Sequence, residues 1–197
     1  MRVLILCYSR TGNNRLLANH LAERIGADFE EVRTKGWRTF LSMILDMSRD
    51  RRPKIHPLKH DVAGYDHVLF LAPLWDMNIA HPMKTCLETV ARNLGPYSFV
   101  TLCGYHRDGQ PEHVAGELRA LTGKEPAHLT ELQVGDLVPE EDRGKVTVVS
   151  AKRVKPDELS AFEPQIGAIL RWFAPDKVEL RPTSSQRGKE VPGRPAY

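Results

Sequence analysis

The chain is 197 residues long, enough for one well-buried domain and cramped for two. Hydrophobic residues make up 41% and charged residues 27%, ordinary globular usage that excludes global disorder and fibrous repeats. Lysine plus arginine number 28 against 25 aspartate plus glutamate, and a formal charge of +3 gives no argument for nucleic acid or membrane binding. The longest clear apolar run, Val68 to Trp75, contains Pro73 and falls well short of the ~20 residues a membrane-spanning helix needs. Val3 to Cys7 is too short for a secretory signal and runs directly into Ser9, Arg10 and Thr11. Cys7, Cys86 and Cys103 are odd in number and far apart, so neither a disulfide framework nor a metal cluster is expected. This reads as a soluble, cytoplasmic protein.

Val3–Cys7, an unbroken apolar run, predicts a strand buried on both faces. After a polar loop from Tyr8 to Asn14, Leu16, Leu17, Leu21 and Ile25 recur at helical spacing, with Gly26 placed as a C-cap. Phe29 to Val32 predicts a second strand, and Trp37, Phe40, Leu41, Ile44, Leu45 and Met47 form a broad helical stripe before the charged run Arg49 to Lys54. Val68 to Ala72 is a further buried strand, ended by Pro73, and Pro82 suits the first turn of a helix reaching about Ala91. Phe99 to Cys103 reads as another strand, closed by Gly104. A helix around Val114, Leu118 and Leu121, a strand from Leu129 to Val134 and a helix from Leu159 to Phe173 follow. Val146–Val149 breaks this alternation and is read as an added strand or an extended connection.

Strands alternating with helices imply right-handed parallel crossovers, hence an α/β protein with an open sheet and helices on both faces. The domain is expected to span 1–173. Beyond it, 174–197 is Pro-rich: Lys177, Arg181, Arg187, Lys189 and Arg194 outnumber Asp176, Glu179 and Glu190 by two, so most of the net positive charge belongs to this tail. A tail of this composition is either disordered or docked on its own or a neighbouring subunit.

In an open α/β sheet, ligands sit beyond the carboxyl ends of the strands. The loop there, Ser9-Arg10-Thr11-Gly12-Asn13-Asn14, is dense in short hydrogen-bonding side chains and opens into a helix. Gly12 permits close backbone approach, and the helix start supplies free N–H groups and a positive dipole end, a combination suited to a phosphate monoester. A Rossmann fingerprint and a Walker loop are both missing here, since Gly12 stands alone and no glycine–lysine pair precedes a hydroxyl. A low-molecular-weight tyrosine phosphatase needs an arginine six positions after its cysteine, where Cys7 has Asn13; a receiver domain needs acids where Ser9 and Ala72 stand. An ordinary capped helix start is the competing reading, but one cap needs one such residue rather than two hydroxyls, two amides and a glycine within six positions.

The stretch Val3-Leu4-Ile5-Leu6-Cys7-Tyr8-Ser9-Arg10-Thr11-Gly12-Asn13 resembles the phosphate loop of the flavodoxin family in its Y-S-R-T-G-N-T form. Asn14 replaces the usual threonine, and Cys7 stands where an aromatic residue is common. Leu71-Ala72-Pro73-Leu74-Trp75-Asp76 resembles the second flavin loop, and His81-Pro82-Met83-Lys84-Thr85-Cys86-Leu87-Glu88 the helix after it. Thr101-Leu102-Cys103-Gly104-Tyr105 resembles the third loop. The resemblance implies a flavodoxin-like doubly wound open parallel sheet of five strands in the order 2-1-3-4-5. It further implies FMN as cofactor, with the phosphate held by Ser9, Arg10, Thr11, Gly12, Asn13 and Asn14, largely through backbone N–H groups. The flavin ring would lie among Pro73, Leu74, Trp75, Asp76, Cys103, Gly104 and Tyr105, with Trp75 and Tyr105 flanking its faces. Where the family often has a glycine close to the loop aromatic, Asp76, Met77 and Asn78 intervene, and Met77 either covers the ring or blocks it.

Two functions follow from the resemblance. One is a flavin redox protein that passes electrons to a partner protein, or reduces a quinone-like acceptor with NAD(P)H. The other is an interaction module that keeps the scaffold and has lost FMN, a reading that Asn14 and Met77 favour. The mild positive charge contrasts with the strongly acidic flavodoxin carriers, and Asp76 beside the ring is expected to lower the flavin potential. His81 and His106 are candidate proton donors, although solvated loop histidines are commoner. Cys103 is expected to be inert packing. The charged run from Arg49 to Lys54 is a solvated connection in preference to an NADPH phosphate contact. The breadth of the stripe from Trp37 to Met47, with Trp172 and Phe173 ahead of the tail, is compatible with a homodimer.

Overall fold

β1, Val3–Cys7, is buried at every residue, as a parallel strand covered on both faces must be. The structure is a computed structural model that describes residues 1–36 and 39–173, with backbone alone for Phe40. Trp37 and the tail 174–197 lie outside the described residues. From β1 the chain enters α1, Asn13–Ile25, then β2, Asp28–Glu31, and α2, Phe40–Arg49. The start of α2 is fixed by a reciprocal capping box between Thr39 and Ser42. Next come β3, His67–Leu71, a two-strand hairpin of β4, Leu74–Trp75, and β5, Asn78–Ile79, and α3, His81–Val90. The remainder is β6, Tyr97–Cys103, α4, Gln110–Thr122, β7, Leu129–Gln133, α5, Val146–Ala151, and α6, Glu163–Phe173.

The five long strands form one sheet in the order β2-β1-β3-β6-β7, every neighbouring pair parallel. With the hairpin set aside, this is the expected order 2-1-3-4-5. Strand alternation divides the core in two. Ile5, Cys7, Leu69, Leu71, Val100 and Leu102 face Leu17 and Leu21 of α1 and Ile166, Ile169 and Leu170 of α6. Leu4, Leu6, Val68, Phe70, Tyr97 and Phe99 face Met83 and Leu87 of α3 and Val114 and Leu118 of α4. Each such buried side chain stabilises the fold by roughly 1.5–3 kcal/mol relative to exposure. Among the described residues, no helix is long and apolar enough to cross a membrane.

Two readings of the sequence need correction. Val146–Val149 is neither strand nor extended connection but most of α5. The β-branched run favours a strand locally, yet the segment is helical, with Val149 buried in the core and Val146 65% exposed. The last helix does not run from Leu159: Pro156–Phe162 is 3-10 helix, and the α-helix begins at Glu163, because Pro164 has no N–H and fits only a first turn. Trp172 and Phe173 are half-buried on their own chain, Trp172 stacked on His128 at 4.2 Å and Phe173 edge-on to His67 at 5.2 Å. Leu41 and Ile44 of α2 remain exposed.

Candidate functional site

β1, β3 and β6 end side by side, and the loops leaving them surround a cavity of about 650 Å³. It lies where the chain order reverses between β1 and β3, the switch point at which open α/β sheets bind ligands. In the first loop Gly12 adopts φ 95°, a conformation that costs other residues strain, and its N–H donates to Ser9 Oγ at 3.1 Å. No side chain caps α1 and its first turn holds no acid, which leaves the N–H groups of its opening turn and its positive dipole end available to an anion. The side chains of Asn13 and Asn14 point elsewhere. Buried Asn14 brackets β6, donating to Leu102 O at 3.0 Å and accepting from Leu102 N at 2.9 Å. Asn13 does the same to the segment after α5, donating to Lys152 O at 3.0 Å and accepting from Val154 N at 3.1 Å.

The second loop is the β4–β5 hairpin. Its turn residues Asp76 and Met77 sit at φ 49° and 67°, both left-handed as a tight hairpin turn requires, although neither is glycine. The half-buried Trp75 is held edge-on by Tyr8, 6.0 Å between centroids, and lies against His81, also at 6.0 Å and within 23° of parallel. Asp76 accepts from Arg107 Nη1 at 2.6 Å, an ion pair that links the second loop to the third.

In the third loop Gly104 and Tyr105 are fixed from behind by Gly135, whose N–H donates to Gly104 O at 3.1 Å. A Cβ on Gly135 would itself lie 3.1 Å from that oxygen, so only glycine fits without a shift. The Tyr105 hydroxyl is buried with no hydrogen-bond partner, and Tyr105 lines the cavity. The Cys103 thiol is buried and pushed up to about 12, mainly by burial and then by Glu131, so it is no nucleophile. Arg10, Arg107 and Arg153 line the cavity against a single acid, Asp76, a lining charge of +2.

No protein-family model matches the sequence, and no curated protein matches it. Among solved structures, a flavoprotein from Lactobacillus acidophilus in complex with FMN aligns at TM-score 0.58 and 18% identity, covering 66% of this chain and 92% of that one. A flavoprotein from Bacteroides eggerthii aligns at TM-score 0.58 and 16% identity, covering 84% of this chain and 98% of that one. One from Bacteroides uniformis aligns at 0.55 and 17%, covering 66% and 88%. The fold is flavodoxin-like.

Against this flavodoxin-like frame, the cavity brings together Arg10, Thr11, Asn13, Asn14, Pro73, Leu74, Trp75, Asp76, Cys103, Gly104 and Tyr105. Ser9 and Gly12 do not line it; they shape the loop beneath it. His106 pairs with Glu131 at 2.9 Å and is 44% exposed, while His81 is buried behind Trp75 rather than solvated. The sequence reading missed one wall altogether, formed by Val134, Val146, Val149, Ser150 and Arg153 from the excursion between β7 and α6, with Met43 of α2 opposite. The only signal for it was the apolar run at Val146–Val149 that had no place in the alternation.

Proposed function

We propose that this cavity binds FMN and that the protein is a flavin redox protein. It would pass electrons to a partner protein, or take hydride from NAD(P)H and reduce a small quinone-like acceptor. The observation that carries this reading is the coincidence, in one cavity, of an uncapped helix start, a lining charge of +2 and two aromatic lining residues, Trp75 and Tyr105. A phosphate monoester is a dianion joined here to a planar heteroaromatic ring, and these features match its two ends. The FMN held by the Lactobacillus acidophilus flavoprotein of similar fold supports the same assignment.

Each part of the site then has a task. Ser9 and Gly12 set the first loop, and the N–H groups that open α1 hold the phosphate together with Arg10 and Thr11. Trp75, fixed by Tyr8 and His81, gives the ring a platform, and the Tyr105 hydroxyl supplies a hydrogen bond to its polar edge. Val146 and Val149 exclude water from the side that the excursion covers. When bound, FMN supplies the one- and two-electron chemistry, while the protein sets access and potential. The Cys103 thiol takes no part.

Reconstitution tests the proposal. Protein incubated with FMN and desalted should be yellow, with a flavin visible spectrum, and should oxidise NADH or NADPH when a quinone is present if it is a reductase. A yellow protein inert to both nicotinamides is an electron carrier. A colourless protein that cannot be reconstituted is the interaction module instead.

A further inference from the structure

We infer that Arg153 is a second grip on the phosphate of the bound flavin, delivered to the first loop from the excursion after β7. The inference rests on the FMN reading above. Asn13, the first residue of α1, bonds Lys152 O and Val154 N, the residues on either side of Arg153. Those two bonds pin Arg153 next to the helix start that faces the cavity, and Arg153 is among the residues that line that cavity. Its Nη1 donates to the carbonyls of Ser150, Ala151 and Lys152 at 3.2, 2.8 and 3.3 Å. Carbonyls satisfy donors without cancelling charge, and among the described residues no carboxylate forms an ion pair with Arg153. Arg107, by contrast, is neutralised by Asp76 at 2.6 Å. A dianion at the first loop is therefore the strongest partner within the cavity for this guanidinium, whose planar fork suits phosphate oxygens. The buried carboxamide of Asn13 thus serves the phosphate indirectly, by holding a second cation over it.

Riboflavin has the same ring as FMN and no phosphate, which separates a phosphate contact from a general effect on the pocket. Affinities of both ligands are measured by fluorescence quenching for the parent, Arg153→Gln and Arg153→Lys, with thermal unfolding recorded for each. Arg153 is exposed, so the variants should fold. Arg153→Gln should weaken FMN about tenfold, the effect of one lost charge-assisted contact, with riboflavin unchanged; Arg153→Lys should keep most of the preference for FMN. Unchanged FMN affinity in Arg153→Gln, or equal losses for both ligands, would show that the residue only closes the end of α5 and would overturn the inference while leaving the FMN reading intact. A parent that binds neither ligand overturns that reading and this inference with it.

Discussion

Asp76 and Arg107 meet at the mouth of the cavity at 2.6 Å, so the carboxylate expected to act on the flavin shares its field with a cation. In the proposed FMN complex both charges would lie near the negative charge that develops on reduction, and would act on it in opposite directions. Arg107→Met should lower the potential of the FMN-loaded protein and Asp76→Asn should raise it, read by redox titration of each variant; an unchanged potential in both removes the electrostatic argument. Gly135 tests the backbone in the same way. Gly135→Ala places a methyl group 3.1 Å from Gly104 O and must displace the third loop. A loss of about 1–2 kcal/mol in urea unfolding, with weaker FMN binding, is expected. At this scale the sequence was half legible. Ser9, Thr11, Gly12 and Trp75 declare their chemistry by type and position. Asn14 showed that an amide was present but not whether it would face a ligand or, as it does, bracket Leu102.

The hairpin β4–β5 was absent from the sequence reading because its turn lacks the usual asparagine–glycine signal. Asp76 and Met77 take the left-handed conformations regardless, since the pairing of Leu74 with Ile79 and Trp75 with Asn78 leaves two residues to reverse the chain. Met77 at φ 67° is a strained position, and Met77→Gly should stabilise the protein by about 1 kcal/mol, seen as a raised Tm. If Tm falls instead, Met77 contributes more by packing at the cavity than it costs in backbone strain. α5 was misread for a related reason. A run of valines is ambiguous until something shows which neighbour it packs on, and here Val149 lies against Gly104 of the third loop. The strands β1, β3 and β6 were legible because burial on both faces leaves an unbroken apolar run that few other structures produce.

Across the whole molecule, three histidines carry a shared pH signature. His20, His67 and His81 are each held below the ordinary histidine range, burial being the first cause in all three, followed by Arg24, His128 and Lys84 respectively. Below about pH 6.5 the unfolded chain therefore takes up protons that the native protein resists. Stability should be level from pH 8 to about 6.5 and decline on further acidification, with a shallower decline in His67→Gln; urea midpoints across that range decide it. A flat profile to pH 5.5 would mean these imidazoles are better solvated than their packing implies. The sheet order and two-sided core follow from the alternation of elements, whereas the cavity depends on contacts between parts far apart in sequence. The central claim concerns that cavity, and FMN titration of the parent, Gly12→Asn and Gly12→Asp tests it most directly. The two substitutions place similar side chains at the same left-handed position, but only aspartate adds a negative charge to the first loop at the start of α1. The parent should bind one FMN, Gly12→Asn more weakly and Gly12→Asp at least about tenfold more weakly than Gly12→Asn; FMN held equally by all three, or by none, would contradict the account.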